Sequence, residues 1–354
     1  MNQPIRVCFL PVAGKECPHQ MLTMHGLSRD GRFEVRHGVD ARFFAGTRTC
    51  LKQRPDILYF DWIHRYCMGR SRLVTILKML VFFLDIQIVT KIFRVPIYWT
   101  LHNLRSHERA VPDGWERLMQ RYLARHTTRI RVFSENSIER VIARLGVDRR
   151  KLMVLPEGNY TGYYPNEISR ADARARLNLP TDEFVLLWLG NIRPYKGLSE
   201  LIDAFRQVAQ PNWRLVIAGQ PYIESYAAQI IESIKADERM DFYPRFIPEN
   251  ELQVFYNAAD AVALPFTEIE NSASLTMTMG FRKPVVAPDL GVVGERLCRQ
   301  RELVYGADGL VAALQRLAAL TPARLAEIGQ ANFDEVRKYK WEDVTQLLEA
   351  GGSA

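Results

Sequence analysis

Short apolar runs recur along this chain, and helix-patterned segments separate most of them. In the first half they are Ile5–Pro11, Phe33–Val39, Ile57–Trp62, Val95–Thr100, Ile130–Phe133 and Leu152–Leu155. In the second half they are Phe184–Leu189, Leu215–Ala218, Asp241–Ile247, Ala261–Pro265 and Val285–Ala287. Helix-like segments lie between the second set at Leu198–Val208, Tyr222–Ala236, Glu249–Ala258 and Ser274–Phe281. Strands that alternate with helices pair in parallel, and the helices cover both faces of the sheet. The fold class is therefore α/β. The alternation breaks at Pro156-Glu157-Gly158-Asn159-Tyr160, and the chain stays polar and turn-rich through Ser169. That break reads as a hinge. A length of 354 residues suits two domains. The expected boundaries are 1–160 and 161–335, with a closing segment, 336–354, whose last helix opens at Tyr339-Lys340-Trp341-Glu342-Asp343-Val344.

Two segments of the second half carry chemistry. The run Phe184–Leu189 leads into Gly190-Asn191-Ile192-Arg193-Pro194-Tyr195-Lys196-Gly197, and Leu198, Leu201, Ile202 and Phe205 then mark one helix face. Two cations at the mouth of a strand–loop–helix unit suit a diphosphate. Arg193 can fork onto two phosphate oxygens and Lys196 adds a point charge. The bland alternative is a surface loop with two solvated cations. Downstream, Ala261–Pro265 leads into Thr267-Glu268-Ile269-Glu270-Asn271-Ser272-Ala273-Ser274 and a helix. Asn271, Ser272 and Ser274 offer hydroxyls and backbone amides at a positive helix end, and Glu268 and Glu270 can accept from sugar hydroxyls. An ordinary helix cap would look the same.

Together these segments resemble the nucleotide-binding half of the GT-B glycosyltransferases, whose Arg/Lys loop grips the donor pyrophosphate. The Asn271-Ser272-x-Ser274 form, Thr100-Leu101-His102-Asn103 and Arg193-Pro194-Tyr195-Lys196-Gly197 are similar to the bacterial mannosyltransferases that build xanthan- and acetan-type exopolysaccharides. The resemblance implies two Rossmann-like domains facing a central cleft, with a C-terminal helix crossing back to the first. It implies a nucleotide diphosphate sugar as donor, with GDP-mannose foremost, and a lipid-linked oligosaccharide as acceptor. It places base-contact candidates at Arg245 and Ile247. One position departs from the family: Met277 stands where a second glutamate is usual. That departure leaves the ribose contact and the stereochemical outcome open. A retaining UDP-sugar transferase and a silent glycan- or partner-binding protein are the rival readings.

Candidate acceptor-side groups end first-half strands. His102 aligns with a histidine that points at the donor sugar in related enzymes, and a lone imidazole near neutral pH is a candidate base. Asp61 is a candidate base for inversion, and Glu157 is a third. Trp62 offers a ring for stacking on a sugar face, and His64 and His107 lie nearby in sequence. Core or capping roles account for such residues equally well.

Lys plus Arg total 47 against 40 Asp plus Glu, a formal charge of +7, which favours anionic partners. The basic residues are spread along the chain, so nucleic acid is not expected as a partner. The five cysteines, Cys8, Cys17, Cys50, Cys67 and Cys298, form no CxxC pair and fit a reducing cytosol. No GxGxxG loop and no metal cluster is apparent, and the Arg/Lys pair makes a metal or other cofactor unnecessary for the phosphates. From Leu73 to Phe93 the chain is mostly apolar, interrupted by Lys78, Asp85, Gln87 and Lys91 and edged by Arg65, Arg70, Arg72 and Arg94. It reads either as a helix lying on an anionic cytoplasmic leaflet or as a buried helix of the fold. The first reading makes the protein a peripheral one on the inner face of the bacterial membrane.

Overall fold

A computed structural model describes residues 3–14, 18–29, 31–69, 71–105, 112–208, 210–235 and 237–350. The chain forms two compact units, Met1–Gly158 with Lys340–Ala354, and Asn159–Tyr339. The first unit holds β1 (Ile5–Leu10), β2 (Phe33–His37), β3 (Ile57–Phe60), β4 (Ile97–Thr100), β5 (Arg129–Val132) and β6 (Leu152–Val154). These pair in parallel in the order β2-β1-β3-β4-β5-β6. Alternate side chains go to opposite faces. Leu58, Phe60 and Trp99 pack with Phe82, Ile86 and Leu123 on one face. Phe9, Tyr59 and Tyr98 pack with Leu27, Val344 and Leu347 on the other.

That second face explains why the C-terminal segment groups with the first unit. A turn at Trp341–Val344 and a short helix at Thr345–Glu349 stand where one terminal helix is expected. Their apolar residues complete a layer that would otherwise be open, and Tyr98 donates to the Leu348 carbonyl at 3.3 Å.

The second unit holds β7 (Phe184–Leu189), β8 (Trp213–Ala218), β9 (Met240–Tyr243), β10 (Ala261–Ala263), β11 (Val285–Pro288) and β12 (Val304–Tyr305). Their order is β12-β11-β10-β7-β8-β9, again parallel. The β9 strand stops at Tyr243, so Arg245–Ile247 lie in a loop and do not extend the strand. Two residues of edge strand, β12, carried too little pattern to be anticipated.

In both sheets the chain winds outward and then returns to the other side of its first strand. The reversal falls between β1 and β3 in one unit and between β7 and β10 in the other. Connections leave in opposite directions there, which opens a crevice beyond the carboxyl ends of those strands.

The apolar stretch forms the Arg72–Gln87 helix and a π turn at Ile88–Ile92. Three of its polar residues, Lys78, Asp85 and Gln87, turn inward, while Arg72 and Lys91 are exposed. Asp85, 3% exposed, accepts from the Gly46 and Thr47 amides at 2.9 and 2.7 Å and so caps the Ala45–Gln53 helix. Burial pushes its carboxyl above the ordinary value against those bonds. Lys78 donates to the Met68 carbonyl at 2.6 Å, and Gln87 to the Tyr122 hydroxyl at 2.7 Å. Met79, Phe82 and Ile86 are buried, whereas Leu73, Leu77, Leu80 and Leu84 are 76%, 53%, 59% and 52% exposed. The helix is thus apolar on both its inner and outer faces.

Candidate active site

At the β1/β3 switch of the first unit, four titratable side chains meet. Asp61 follows β3 and is 1% exposed. Its Oδ1 accepts from His102 Nε2 at 3.2 Å, and its Oδ2 accepts from Gln20 Nε2 at 2.8 Å. Glu157, beyond β6, is equally buried and pairs with His19 Nδ1 at 2.9 Å. The His19 and His102 rings lie 4.7 Å apart and nearly perpendicular. Trp62 lies flat on His102, 4.2 Å between centroids. Trp341 and Phe133 meet the His19 ring edge-on.

Local sequence explains this convergence. Each of the four follows a different strand of one parallel sheet, and such strands present their carboxyl ends on one side. Buried Arg131 on β5 donates to the Leu155 and Pro156 carbonyls at 3.0 and 2.7 Å, which fixes the segment that delivers Glu157. A Cβ on Gly158 would stand 2.5 Å from the Trp341 ring, so only glycine lets the indole close over this place.

Burial pushes His102 down to about 4 despite its bond to Asp61. It is a neutral imidazole at neutral pH, and it donates Nε2–H because a carboxylate only accepts. Burial alone would raise Asp61, but His102, His19 and Gln20 hold it below the ordinary carboxylate value. His19, Asp61 and His102 also offer ligand atoms within 4.8 Å of one another, a donor set that a divalent metal accepts.

Three sequence candidates, Asp61, His102 and Glu157, therefore meet in one place, with Trp62 beside them. His19 was not anticipated. Its only sequence signal is a histidine opening the first helix after β1. His64 is exposed at the start of the His64–Cys67 helix. His107 lies outside the described residues.

The β7/β10 switch of the second unit is built differently. Gly190 has φ 151°, and a Cβ there would stand 2.6 Å from Lys196 Nζ. Glycine gives the ammonium its room. A Cβ on Gly219, at the end of β8, would strike the Gly190 carbonyl at 1.8 Å. At Gly197 φ is 66°, and a Cβ would meet the Pro265 carbonyl at 1.9 Å. The loop consequently packs on the chain after β10, where Thr267 N donates to the Tyr195 carbonyl at 2.9 Å. The two segments marked out in the sequence lie side by side. The Arg193 guanidinium stacks 3.9 Å over Tyr222. Burial, and secondarily the Arg193 charge, push Lys196 down to about 8.

Ser272 caps the Ala273–Gly280 helix, accepting from Leu275 N at 3.0 Å. Glu270, Asn271 and Ser274 are half-buried near that end, and Glu268 is exposed. Arg245 is engaged by Glu251, and Ile247 is buried. Met277 lines a cavity of about 460 Å³ with Tyr160, Tyr164, Phe281 and Phe333. An aromatic wall suits a thioether better than the carboxylate usual at this position.

Residues 169–313 match the family "Glycosyl transferases group 1". The GDP-mannose:glycolipid 4-beta-D-mannosyltransferase of Xanthomonas campestris pv. campestris is 27% identical over 71% of this chain and 66% of its own length. The D-inositol 3-phosphate glycosyltransferase of Nocardia farcinica is 28% identical over 56% of this chain and 47% of its own. Among solved structures, Anabaena Alr3699/HepE in complex with UDP and glucose superposes with TM-score 0.75 at 18% identity, covering 99% of this chain and 100% of that one. Sucrose-phosphate synthase (tll1590) from Thermosynechococcus elongatus gives 0.73 at 17%, covering 98% of each. The fold is that of the GT-B glycosyltransferases, and residues 169–313 carry the sequence of their group 1 domain.

Proposed function

We propose that the chain transfers a hexose from a nucleotide diphosphate sugar to a lipid-linked oligosaccharide, with GDP-mannose as donor. The observation that carries this reading is the glycine-floored loop that sets Arg193 and Lys196 against the chain leading from β10 towards the Ser272-capped helix. Two cations there offset the charge that develops on a departing diphosphate, and the positive end of the helix favours its oxygens. That arrangement requires no metal at the phosphates. Glu270 and Glu268 accept from donor hydroxyls. The likeness to the Xanthomonas mannosyltransferase supports GDP-mannose and a glycolipid acceptor.

The first unit takes the acceptor. Trp62 presents its ring, and the imidazole–carboxylate group beneath it accepts a proton, as an inverting reaction requires. The acceptor lipid is reached by a peripheral dock on the anionic cytoplasmic leaflet, made by the exposed leucines of the Arg72–Gln87 helix.

A panel of GDP- and UDP-sugars, run beside Arg193→Ala and Lys196→Ala, tests the reading. Turnover of one GDP-sugar that collapses in both variants supports it. Turnover of a UDP-sugar only moves the assignment to the UDP-dependent transferase. No turnover and no nucleotide binding makes the chain a silent GT-B protein, for which Met277 is the motivating residue.

A further inference from the structure

We propose that His19, Asp61 and His102 bind one zinc ion, and that the bound ion stops the transferase by occupying the lone pairs that would take the acceptor's proton. The site stands on geometry; only its effect on turnover rests on the transferase reading above. Each of the three residues offers a ligand atom, and these lie within 4.8 Å of one another. His102 Nε2 and Asp61 Oδ1 are 3.2 Å apart. Two ligands on a tetrahedral zinc, with bonds of about 2.0–2.1 Å, stand roughly 3.3 Å apart. His19 brings a nitrogen that the protein leaves empty. Its Nδ1 pairs with Glu157. Its Nε2 is buried, in a residue 6% exposed, and has no hydrogen-bond partner among the described residues. A buried acceptor without a partner is destabilising, and a metal ion satisfies it.

The groups behind the ligands are those of a built metal centre. A metal-bound histidine commonly gives its other N–H to a carboxylate, which fixes the ring and strengthens the ligand. Glu157 stands in that position behind His19. Asp61 Oδ2 accepts from Gln20 Nε2 at 2.8 Å. Gln20 is pinned in turn: Nε2 also donates to the Pro11 carbonyl at 3.0 Å, and Oε1 accepts from Ala13 N at 2.9 Å. Asp61 Oδ1 is left to face His102, and Trp62 lies flat on that ring. Two imidazoles and one carboxylate oxygen favour zinc over calcium and magnesium, which take oxygen ligands. Three protein ligands leave the fourth position to water. As zinc enters, the proton that His102 donates to Asp61 leaves to solvent. The lone pairs that remain are then directed at the metal, and a substrate hydroxyl finds no acceptor for its proton.

The test uses the full chain, stripped of metal with EDTA, with cobalt(II) and zinc as probes. Tetrahedral cobalt absorbs strongly in the visible, whereas the hydrated ion barely does. One equivalent of cobalt should give that band, and one equivalent of zinc should remove it. In isothermal titration, Glu157→Gln should weaken zinc binding about 10- to 100-fold, and His19→Asn, which deletes a ligand, should weaken it further. Cys298→Ser and His25→Ala remove exposed groups elsewhere and should leave binding as it was. Should His19→Asn fold poorly by circular dichroism, Asp61→Asn takes its place with the same expectation. Turnover is read with GDP-mannose as donor and octyl β-glucoside as acceptor. Zinc held below the donor concentration, where chelation of the donor cannot account for a loss, should abolish it, and EDTA should restore it. Absence of the cobalt band, zinc binding that survives loss of a ligand, or binding that disappears with Cys298→Ser would overturn the site. Zinc bound there with turnover unchanged or raised would overturn the inhibitory role. A parent that gives the cobalt band but turns over no donor defeats the transferase reading and leaves the site standing.

Discussion

The two units share one architecture but use it for opposite electrostatic ends. Each is a six-stranded parallel sheet with its candidate site at the switch point. In the first unit the site is buried and titratable, with two imidazoles and two carboxylates among Trp62, Phe133 and Trp341. In the second it is a shelf of fixed positive charge over glycines. The first is suited to moving a proton and the second to holding an anion. One backbone plan thus serves either role, and the residues placed after each strand decide which.

The comparison breaks most readily at the cations. Arg193→Ala and Lys196→Ala should each lower kcat/KM by about 100- to 1,000-fold, the scale for donors that stabilise developing charge. Neither should change the pH-dependent stability of the first unit. Lys196 also sets a pH limit. Its folded value of about 8 lies below the ordinary 10.5, so the free protein disfavours the ammonium and a bound diphosphate favours it. Donor affinity should hold below pH 8 and fall above it, as isothermal titration with GDP across pH 6–10 would show. An affinity flat through pH 10 would remove Lys196 from the phosphate contact.

The first unit should respond to acid instead. His102 is held at about 4, below its ordinary 6.5, so the unfolded chain takes up the proton first. Stability is intact above pH 6.5 and declines as the pH falls toward 4. A displacement of that size corresponds to about 3 kcal/mol. Urea unfolding at pH 7 and pH 4.5 should show most of this loss, and His102→Phe should flatten it. An equal loss in the variant would mean that other groups carry the acid sensitivity.

A smaller effect is expected at Gly190. The methyl of Gly190→Ala would strike Lys196 Nζ, which must then move. GDP affinity should fall about 10- to 100-fold, the loss of one or two charge-assisted hydrogen bonds. The sheet should remain, but φ 151° is strained for alanine, so about 1–3 kcal/mol of stability should be lost as well. Gly158→Ala touches no cation. Its methyl meets the Trp341 ring, which cannot swing clear as easily, so about 1–3 kcal/mol of stability should be lost with GDP affinity kept.

These glycines also mark where the sequence was readable. The alternation of apolar runs announced parallel sheets, because buried strands such as Ile57–Phe60 and Phe184–Leu189 are apolar throughout. Arg193 and Lys196 stood out because strand, loop and helix follow one another within a few residues. Gly219 gave no such signal, since its role is to approach the Gly190 carbonyl across the sheet. His19 was equally silent. Its meaning comes from Glu157, 138 residues away, and from Trp341 near the other terminus. Strand ends were overestimated at Asp241–Ile247 because apolar Phe246 and Ile247 continue the pattern after the ladder has stopped at Tyr243.

The smallest expected effect concerns the outer face of the first unit, for which the second has no described counterpart. Lys78, Asp85 and Gln87 face the protein while Leu73, Leu77, Leu80 and Leu84 face outward, the reverse of an ordinary surface helix. The helix spans 21 residues with its π turn, long and apolar enough to cross a membrane. Asp85, however, is spent on capping Ala45–Gln53, which ties the helix to the sheet's own covering layer. A helix so anchored leaves its leucines exposed on the outer face of the unit. Leu77→Glu with Leu80→Glu should reduce partitioning onto vesicles of phosphatidylglycerol and phosphatidylethanolamine by about tenfold or more, given the apolar burial lost. Turnover of octyl β-glucoside, which needs no membrane, should be unchanged. Unchanged partitioning would assign the leucine face to another contact, and lost turnover would place it in the fold of the acceptor site instead.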